Sequence, residues 1–316
     1  ALVAARGKDL FALAADNNTA LFFEAAVAGA IPIIKTLRES LAGNQVTSIC
    51  GILNGTCNYI LTSMEEENKS FAVALQEATD LGYAEADPSL DIDGDDTAQK
   101  ISILGSLAAG AWLSPDDMKL GGIRHISLDD INFAKDLGYS IKLIGSYQVN
   151  QAGAVHLSTQ CTLVPSNSML ANVKGAFNAA RLEGDLLGAA MLYGQGAGAK
   201  PTASAVFADL IEAAAKSLNG TLNQDQKMIY KEKPEFISEK EITSEFYLRI
   251  MLEDCPSIFG EIATLLGRHG ISMASVDQKS SADEKILPVT ILTHEVSLNA
   301  MNKALAELSE LSSVSG

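Results

Sequence analysis

Carboxylates, glycines and one lysine crowd the run Gly82-Tyr83-Ala84-Glu85-Ala86-Asp87-Pro88, Asp91-Ile92-Asp93-Gly94-Asp95-Asp96 and Lys100. An Asp-rich loop with glycine invites a calcium reading. The EF-hand spacing fails, because with Gly94 at the sixth loop position the twelfth is Lys100 instead of a bidentate Glu. A helix from Asp93 onward accommodates the residues better. Asp96 and Lys100 then lie one turn apart on the same face. A solvated surface ion pair is the plain explanation for such a spacing. The alternative is proton-transfer chemistry. The pair follows a constrained Pro/Gly loop bearing further carboxylates, and the rest of the helix is too apolar for a solvated outer helix. A lysine in such a setting gives up its proton more readily.

Other chemistries find little support. Cys50, Cys57, Cys161 and Cys255 are scattered without a CxxC pair, which argues against a zinc site or a disulfide scaffold and for buried thiols. His125, His156, His269 and His294 are isolated, so hydrolase chemistry is disfavoured. The net charge of −16 makes nucleic acid and anionic membrane poor partners for the molecule as a whole. No apolar run reaches the ~18 residues of a membrane span; the longest candidate is Ile101 to Leu113. The first residues carry no basic start followed by an apolar block, and a cytoplasmic protein is expected. The chain opens without Met in a helical pattern with Leu10, Leu13 and Ala14 on one face, which reads as a cut.

At 316 residues and 47% hydrophobic composition, two domains with sizeable cores are expected. Leu21 to Ala26 reads as a buried strand ending near a Glu. Pro32 opens a helix with Ile33, Ile34 and Leu37 on one face. Gln45 to Leu53 reads as a strand, broken by Asn54-Gly55-Thr56, which starts a helix. Phe71 to Leu81 is helical and closed by Gly82, and residues 83 to 96 form the acidic loop. Tyr139 to Val149, Ala154 to Pro165 and Ala176 to Glu183 read as antiparallel strands. Met191 to Lys200 reads as a glycine-rich loop, and Ser204 to Leu218 as a helix. Residues 219–243 are polar and make the best linker. Beyond it, Phe246 to Leu252, Ile258 to His269, Ile271 to Lys279, Ile286 to Thr293 and Leu298 to Leu308 run β-α-β-β-α, with a last strand near Ser313. That is a ferredoxin-like order.

From Ala78 to Lys100 the pattern is A-xxx-G-aromatic-A-xx-D-P-xx-D-aliphatic-x-G-x-D-xxx-K. It resembles the signature of the homoserine dehydrogenases, with no fixed position missing. Phe23-Glu24-Ala25-Ala26-Val27-Ala28-Gly29-Ala30-Ile31-Pro32 resembles that family's strand-loop-helix. Gly51-Ile52-Leu53-Asn54-Gly55-Thr56-Cys57-Asn58-Tyr59-Ile60 resembles its GxxNGTxNYI segment, and Tyr193-Gly194-Gln195-Gly196-Ala197-Gly198 its late glycine-rich loop. Essentially the whole chain is covered. No strand-GxGxxG-helix is present, and the Gly194/Gly196/Gly198 run comes too late to be one. The resemblance therefore implies residues 1–24 as the end of a nucleotide-binding domain, 25–218 as the substrate domain, 219–243 as linker and 244–316 as a regulatory domain. The expected fold is α+β: a mixed, mostly antiparallel sheet with helices on one face. On this reading the chain alone is expected to be inactive.

The resemblance also implies roles. The reaction interconverts L-homoserine and L-aspartate 4-semialdehyde, with NADP or NAD carrying the hydride, in threonine, methionine and isoleucine biosynthesis. Lys100 would be the acid/base, Asp96 would hold the substrate and Glu85 its ammonium group. Gly82 and Gly196 would approach the cofactor. Glu24 and the carbonyls of Val27, Gly29 and Ile31 would hold a sodium-type cation, a hard ion suited to oxygen donors. From the residues alone, Glu24 reads as a helix-capping or solvent-facing carboxylate, and Asn54, Thr56 and Tyr59 as local caps and packing. The terminal module resembles an ACT domain, with Asp254-Cys255-Pro256-Ser257 at its ligand turn and Ser257 where such domains carry Gly. That implies feedback by an amino acid, threonine foremost; a dimerisation module without ligand is the plain alternative. Exposed strand edges suggest a homodimer or homotetramer. The competing reading of the chain is a non-enzymatic amino-acid-binding and assembly module.

Overall fold

A computed structural model describes residues 1–222, 231–253, 258–278 and 286–311. The chain divides into two compact units, Ala1–Phe236 and Ile237–Gly316. The first opens with α1 (Leu2–Asp16) and a 3-10 turn (Glu24–Ala26). Then come α2 (Ile33–Lys35), which runs on as a π turn over Thr36–Ser40, β1 (Val46–Ile52) and α3 (Gly55–Glu67). Three helices follow: α4 (Phe71–Asp80), α5 (Ser89–Ile92) and α6 (Asp95–Ala109). After α7 (Leu128–Asp136) come β2 (Tyr139–Val149), β3 (Val155–Pro165), β4 (Phe177–Gly184) and β5 (Gly188–Gln195), and α8 (Ala199–Leu218) closes the series.

The five strands form one sheet in the order β3-β2-β1-β4-β5, antiparallel at every step. Its centre is β1, where Ile49 faces Tyr147 on one side and Leu182 on the other. Helix α6 lies on this centre. It comes close because the sheet offers glycine beneath it: a Cβ on Gly145 would sit 3.0 Å from the Cβ of Ile101. Ile101 and Leu104 are buried there with Ile49, Leu53 and Tyr147. On the alternate face, Leu170, Ala171 and Val173 cover Ile52, Ile144 and Val164.

Three expectations need correction. Residues 21–26 form no strand; Glu24 is drawn into the 3-10 turn because its carboxylate serves the next helix. Residues 191–195, expected in a loop over 191–200, belong to the edge strand β5 (Gly188–Gln195), and α8 starts at Ala199. Small residues hide the alternation there, and pairing with β4 supplies what propensity does not. Finally, α1 buries Ala4, Gly7, Phe11 and Ala14, whereas Leu13 is exposed. The helix α7 was not foreseen. Of the thiols, Cys57 is fully buried, while Cys50 and Cys161 are partly so.

The second unit contains β6 (Thr243–Ser244), β7 (Tyr247–Glu253), α9 (Ile258–Arg268), β8 (Met273–Gln278), β9 (Ile286–Thr293), β10 (Val296–Ser297) and α10 (Leu298–Leu308). Its main sheet runs β7-β9-β8, so the third long strand lies between the first two as the ferredoxin-like order requires. Ile262 and Leu266 of α9 and Met301 and Ala304 of α10 pack on Ile250 and Ile291. The expected turn at Asp254–Ser257, with Cys255, and the expected strand near Ser313 lie outside the described residues. No described helix is long and apolar enough to cross a membrane.

One buried charge in the first unit makes a measurable prediction. Lys142 on β2 is fully enclosed, with Nζ donating to Asn58 Oδ1 at 3.0 Å and to the Val173 carbonyl at 2.7 Å. Burial, helped by the nearby Lys174 charge, lowers its pKa from 10.5 to about 8. Between these values the unfolded chain holds the extra proton, so this group makes folding more favourable as pH rises through that window. The span corresponds to about 3 kcal/mol. Urea unfolding of Lys142→Met and wild type should therefore shift in favour of wild type by up to about 3 kcal/mol between pH 8 and 10.5. A difference that stays constant across the window would show that the ammonium titrates normally in the folded chain.

Candidate functional site

The acidic loop is fastened before α6 begins. Arg124 grips Asp93 with two bonds of 2.7 Å, and the Ile123 amide donates to the Ile92 carbonyl. Gly94 then turns the chain with φ +97°, and any Cβ there would lie 2.5 Å from the Gly121 carbonyl oxygen. Only glycine meets both demands. This turn puts Asp95 and Asp96 in the first turn of α6, where the helix dipole favours negative charge.

One turn later stands Lys100. Its Nζ donates to Asp96 Oδ2 at 2.7 Å and to the Leu53 carbonyl at 2.9 Å. The two side chains are 19% and 28% exposed, so this is a partly buried pair and not a fully solvated surface bridge. Leu53 is available because β1 has ended and α3 has not begun. Asn54 fills the junction. As the N-cap of α3 its Oδ1 accepts from the Cys57 amide at 2.8 Å. Its Nδ2 donates to Asp91 at 2.6 Å and to Asp96 at 2.8 Å. Lys100, Asp96, Asn54 and Asp91 thus form one hydrogen-bonded chain. Burial raises the Asp91 pKa, and the bond from Asn54 works against that shift.

Neither Asn54 nor Asp91 was among the expected site residues. The signal for Asn54 was present: a capping Asn uses only its oxygen, and the two amide hydrogens left over need acceptors. Asp91 was one of the fixed positions of the signature, without an assigned role. Thr56 also reaches the loop, donating to the Tyr83 carbonyl at 2.7 Å, and the Tyr59 and Tyr83 rings lie 5.0 Å apart.

Glu85 is not drawn into this chain of bonds. It is exposed, two residues beyond Tyr83, on the same loop. Gly82 caps α4 with φ +76° and is open, with nothing within 4 Å of where a Cβ would be. Gly196 is the opposite case. A Cβ there would lie 2.1 Å from Asn178 Cγ, and a Cβ on Gly29 would lie 2.5 Å from the Gly196 oxygen. Packing within the protein therefore explains both glycines. It also brings the late glycine-rich loop against the Val27–Ile31 loop, where the Ala30 amide donates to the Gln195 carbonyl.

Glu24 is buried, at 3% exposure. Its two oxygens accept from the amides of Ile34 and Lys35 at 2.8 and 3.0 Å, so it caps the helix that follows. Its own amide donates to Asp209 Oδ2 at 2.9 Å. Burial raises the Glu24 pKa, and the two amide bonds lower it in part. Val27 and Ile31 are buried beside it, and Ala28 and Gly29 both take φ +55°. Among the described residues no group of three or more His, Cys, Asp or Glu side chains could hold a metal ion, so any cation here would depend on carbonyl oxygens.

A cavity of about 800 Å³ opens at the other end of α6, lined by Leu37, Leu107, Tyr147 and Val155 among others. Neither Lys100, Asp96 nor Asn54 borders it.

Comparison with known proteins gives the family. Residues 32–211 match the family described as Homoserine dehydrogenase. The homoserine dehydrogenase of Neisseria gonorrhoeae is 41% identical over 99% of this chain and 73% of its own length. A crystal structure of the Thiobacillus denitrificans enzyme superposes with a TM-score of 0.88 at 36% identity, covering 100% of this chain and 72% of that one. A hyperthermophilic archaeal homoserine dehydrogenase mutant in complex with NADPH gives a TM-score of 0.58 at 34% identity, over 68% of this chain and 61% of that one.

Proposed function

Since the chain belongs to the homoserine dehydrogenase family, we propose that the Lys100 cluster is the substrate half of that family's active site. The family reaction is the NAD(P)-dependent interconversion of L-homoserine and L-aspartate 4-semialdehyde. When bound, the nicotinamide accepts or returns the hydride. The remaining task is to move one proton at the substrate oxygen, and Lys100 performs it. In oxidation its neutral amine takes the hydroxyl proton as hydride leaves the same carbon; in reduction the ammonium gives it back. The observation that carries this reading is the hydrogen-bond count. An ammonium has three donors; two of Lys100's are held by Leu53 and Asp96, and the third is uncommitted among the described residues.

Asp96 orients Lys100 and accepts from the substrate, and Glu85 binds the substrate ammonium from the loop rim. The exposure of Glu85 suits a group that waits for a charged ligand. Steady-state kinetics of Glu85→Ala in the native full-length enzyme should show the homoserine KM raised by about tenfold or more, as expected for a lost charge-assisted bond. An unchanged KM would remove Glu85 from the site.

The open position at Gly82 supports an approach by the cofactor there. Gly196 contributes through the loop it lets pack. NADP and NAD are both compatible with these residues. A sodium-type cation at Glu24 with the carbonyls of Val27, Gly29 and Ile31 is supported by the hard oxygen donors and by the buried carboxylate, each of whose oxygens keeps a lone pair beyond its amide bond. That ion would fix the loop against which Gly196 packs.

We assign residues 25–218 to the substrate domain, 1–24 to the end of a nucleotide-binding domain and 219–243 to a linker. The unit after them is a regulatory ACT domain that senses an amino acid, threonine foremost. Its β7-β9-β8 sheet under two helices supports this. Titrating threonine into the native enzyme should lower turnover; full activity at high threonine would leave the unit a dimerisation module. A cytoplasmic homodimer or homotetramer completes the reading.

A further inference from the structure

We infer that Asn178 is a positioning residue for Lys100, an assignment that rests on Lys100 being the acid/base. Asn178 lies on β4 and is fully buried. Its Nδ2 donates to the Leu53 carbonyl at 2.9 Å, the same oxygen that receives Lys100 Nζ at 2.9 Å. A carbonyl oxygen has two lone pairs, and here the two donors occupy both. The amide cannot be turned over, since its oxygen would then face the Leu53 oxygen.

This orientation has a cost. Asn178 Oδ1 is left buried without any hydrogen-bond partner. A buried acceptor without a donor is unfavourable, so a residue selected for stability alone gains nothing from that atom. What it secures is a donor at one fixed point. The surroundings hold it there. Gly196 passes so close that no side chain fits between them. On the preceding turn, Asn58 Nδ2 lies within 2.8 to 3.1 Å of the carbonyls of Val173, Gly175 and Phe177, which sets the entry of β4.

The consequence reaches Lys100 through the shared oxygen. A carbonyl already engaged by Asn178 draws less strongly on the ammonium, and it cannot swing to follow it. Lys100 is thereby held in place. The other groups around it are Asp96 on its own helix, Asp91 through Asn54, and the buried Cys57 thiol of α3. None of them changes when Asn178 is replaced.

The test is the kcat–pH profile for homoserine oxidation in the native full-length enzyme. The base must be neutral for oxidation, so kcat rises with pH through the lysine's titration. In Asn178→Leu the Leu53 oxygen belongs to Lys100 alone, and the ammonium form is favoured. The rising limb should move to higher pH. kcat should fall by about tenfold or more, with the homoserine KM within about threefold and the unfolding midpoint unchanged or higher. Asn178→Ala removes the same donor with a smaller side chain and should move the limb in the same direction. If Asn178→Leu does not fold, Asn178→Ala decides, and an unmoved limb overturns the assignment. A lowered unfolding midpoint with normal kcat and an unmoved limb overturns it too. Lys100→Met is run alongside. Turnover retained there refutes the acid/base role itself, whereas an inactive Lys100→Met beside normal Asn178 variants refutes only the role of Asn178.

Discussion

Lys100→Met in the native full-length enzyme should lower kcat in both directions by about 10²- to 10⁴-fold, the usual worth of a positioned acid/base. The fold should survive. Methionine keeps helix propensity and most of the side-chain length. The Leu53 carbonyl keeps its bond from Asn178, and Asp96 keeps its bond from Asn54. The lost ion pair is a partly exposed i,i+4 contact, worth about 0.3–0.5 kcal/mol. The unfolding midpoint should thus move by only about a degree or two. Lys100→Arg should be nearly as inactive, because guanidinium does not deprotonate in this pH range. Turnover within about tenfold of wild type in either variant would contradict the assignment.

Asp96→Ala should be the second most damaging change, by a different route. Asp96 accepts from both Asn54 and Lys100 on one oxygen, Oδ2. Its loss frees the ammonium to turn toward Leu53 alone and removes an acceptor from the substrate. A hydrogen bond to a charged group is worth about 1.5–3 kcal/mol, so the homoserine KM should rise about 10- to 100-fold while kcat falls as well. Asn54 keeps its cap on Cys57 and its bond to Asp91, so α3 and the loop should remain folded. The split between variants is the check: Lys100→Met spares substrate binding, and Asp96→Ala does not. Equal effects on KM would mean that the two side chains act only as a structural pair.

What could be read before the structure was mainly local. The Asp96–Lys100 pair follows from a four-residue spacing on one helix. The strand ending at Leu53 follows from the break at Asn54-Gly55, and the closure of α4 from Gly82. The second unit's order follows from its alternating runs. The rest depends on contacts between distant segments. Nothing in a linear reading shows that Leu53 and Asn178 meet, or that Gly196 is a glycine because Asn178 stands behind it. The strand β5 was missed because Gly188, Ala189 and Ala190 carry no strand propensity, and its register comes from β4. Residues 21–26 misled because the apolar run is short and Glu24 at its end belongs to the cap of the next helix. Family membership then makes the enzyme reading firmer than the binding-module alternative, which rested on the missing nucleotide fingerprint alone.

The most direct test of the central claim is calorimetric titration of L-homoserine into this 316-residue chain, with Asp96→Ala and Lys100→Met beside it. If the substrate half of the site is built from the α6 N-terminus and the acidic loop, wild type and Lys100→Met should bind homoserine and Asp96→Ala should not. Equal binding by Asp96→Ala and wild type, or no binding by any of the three, would contradict it.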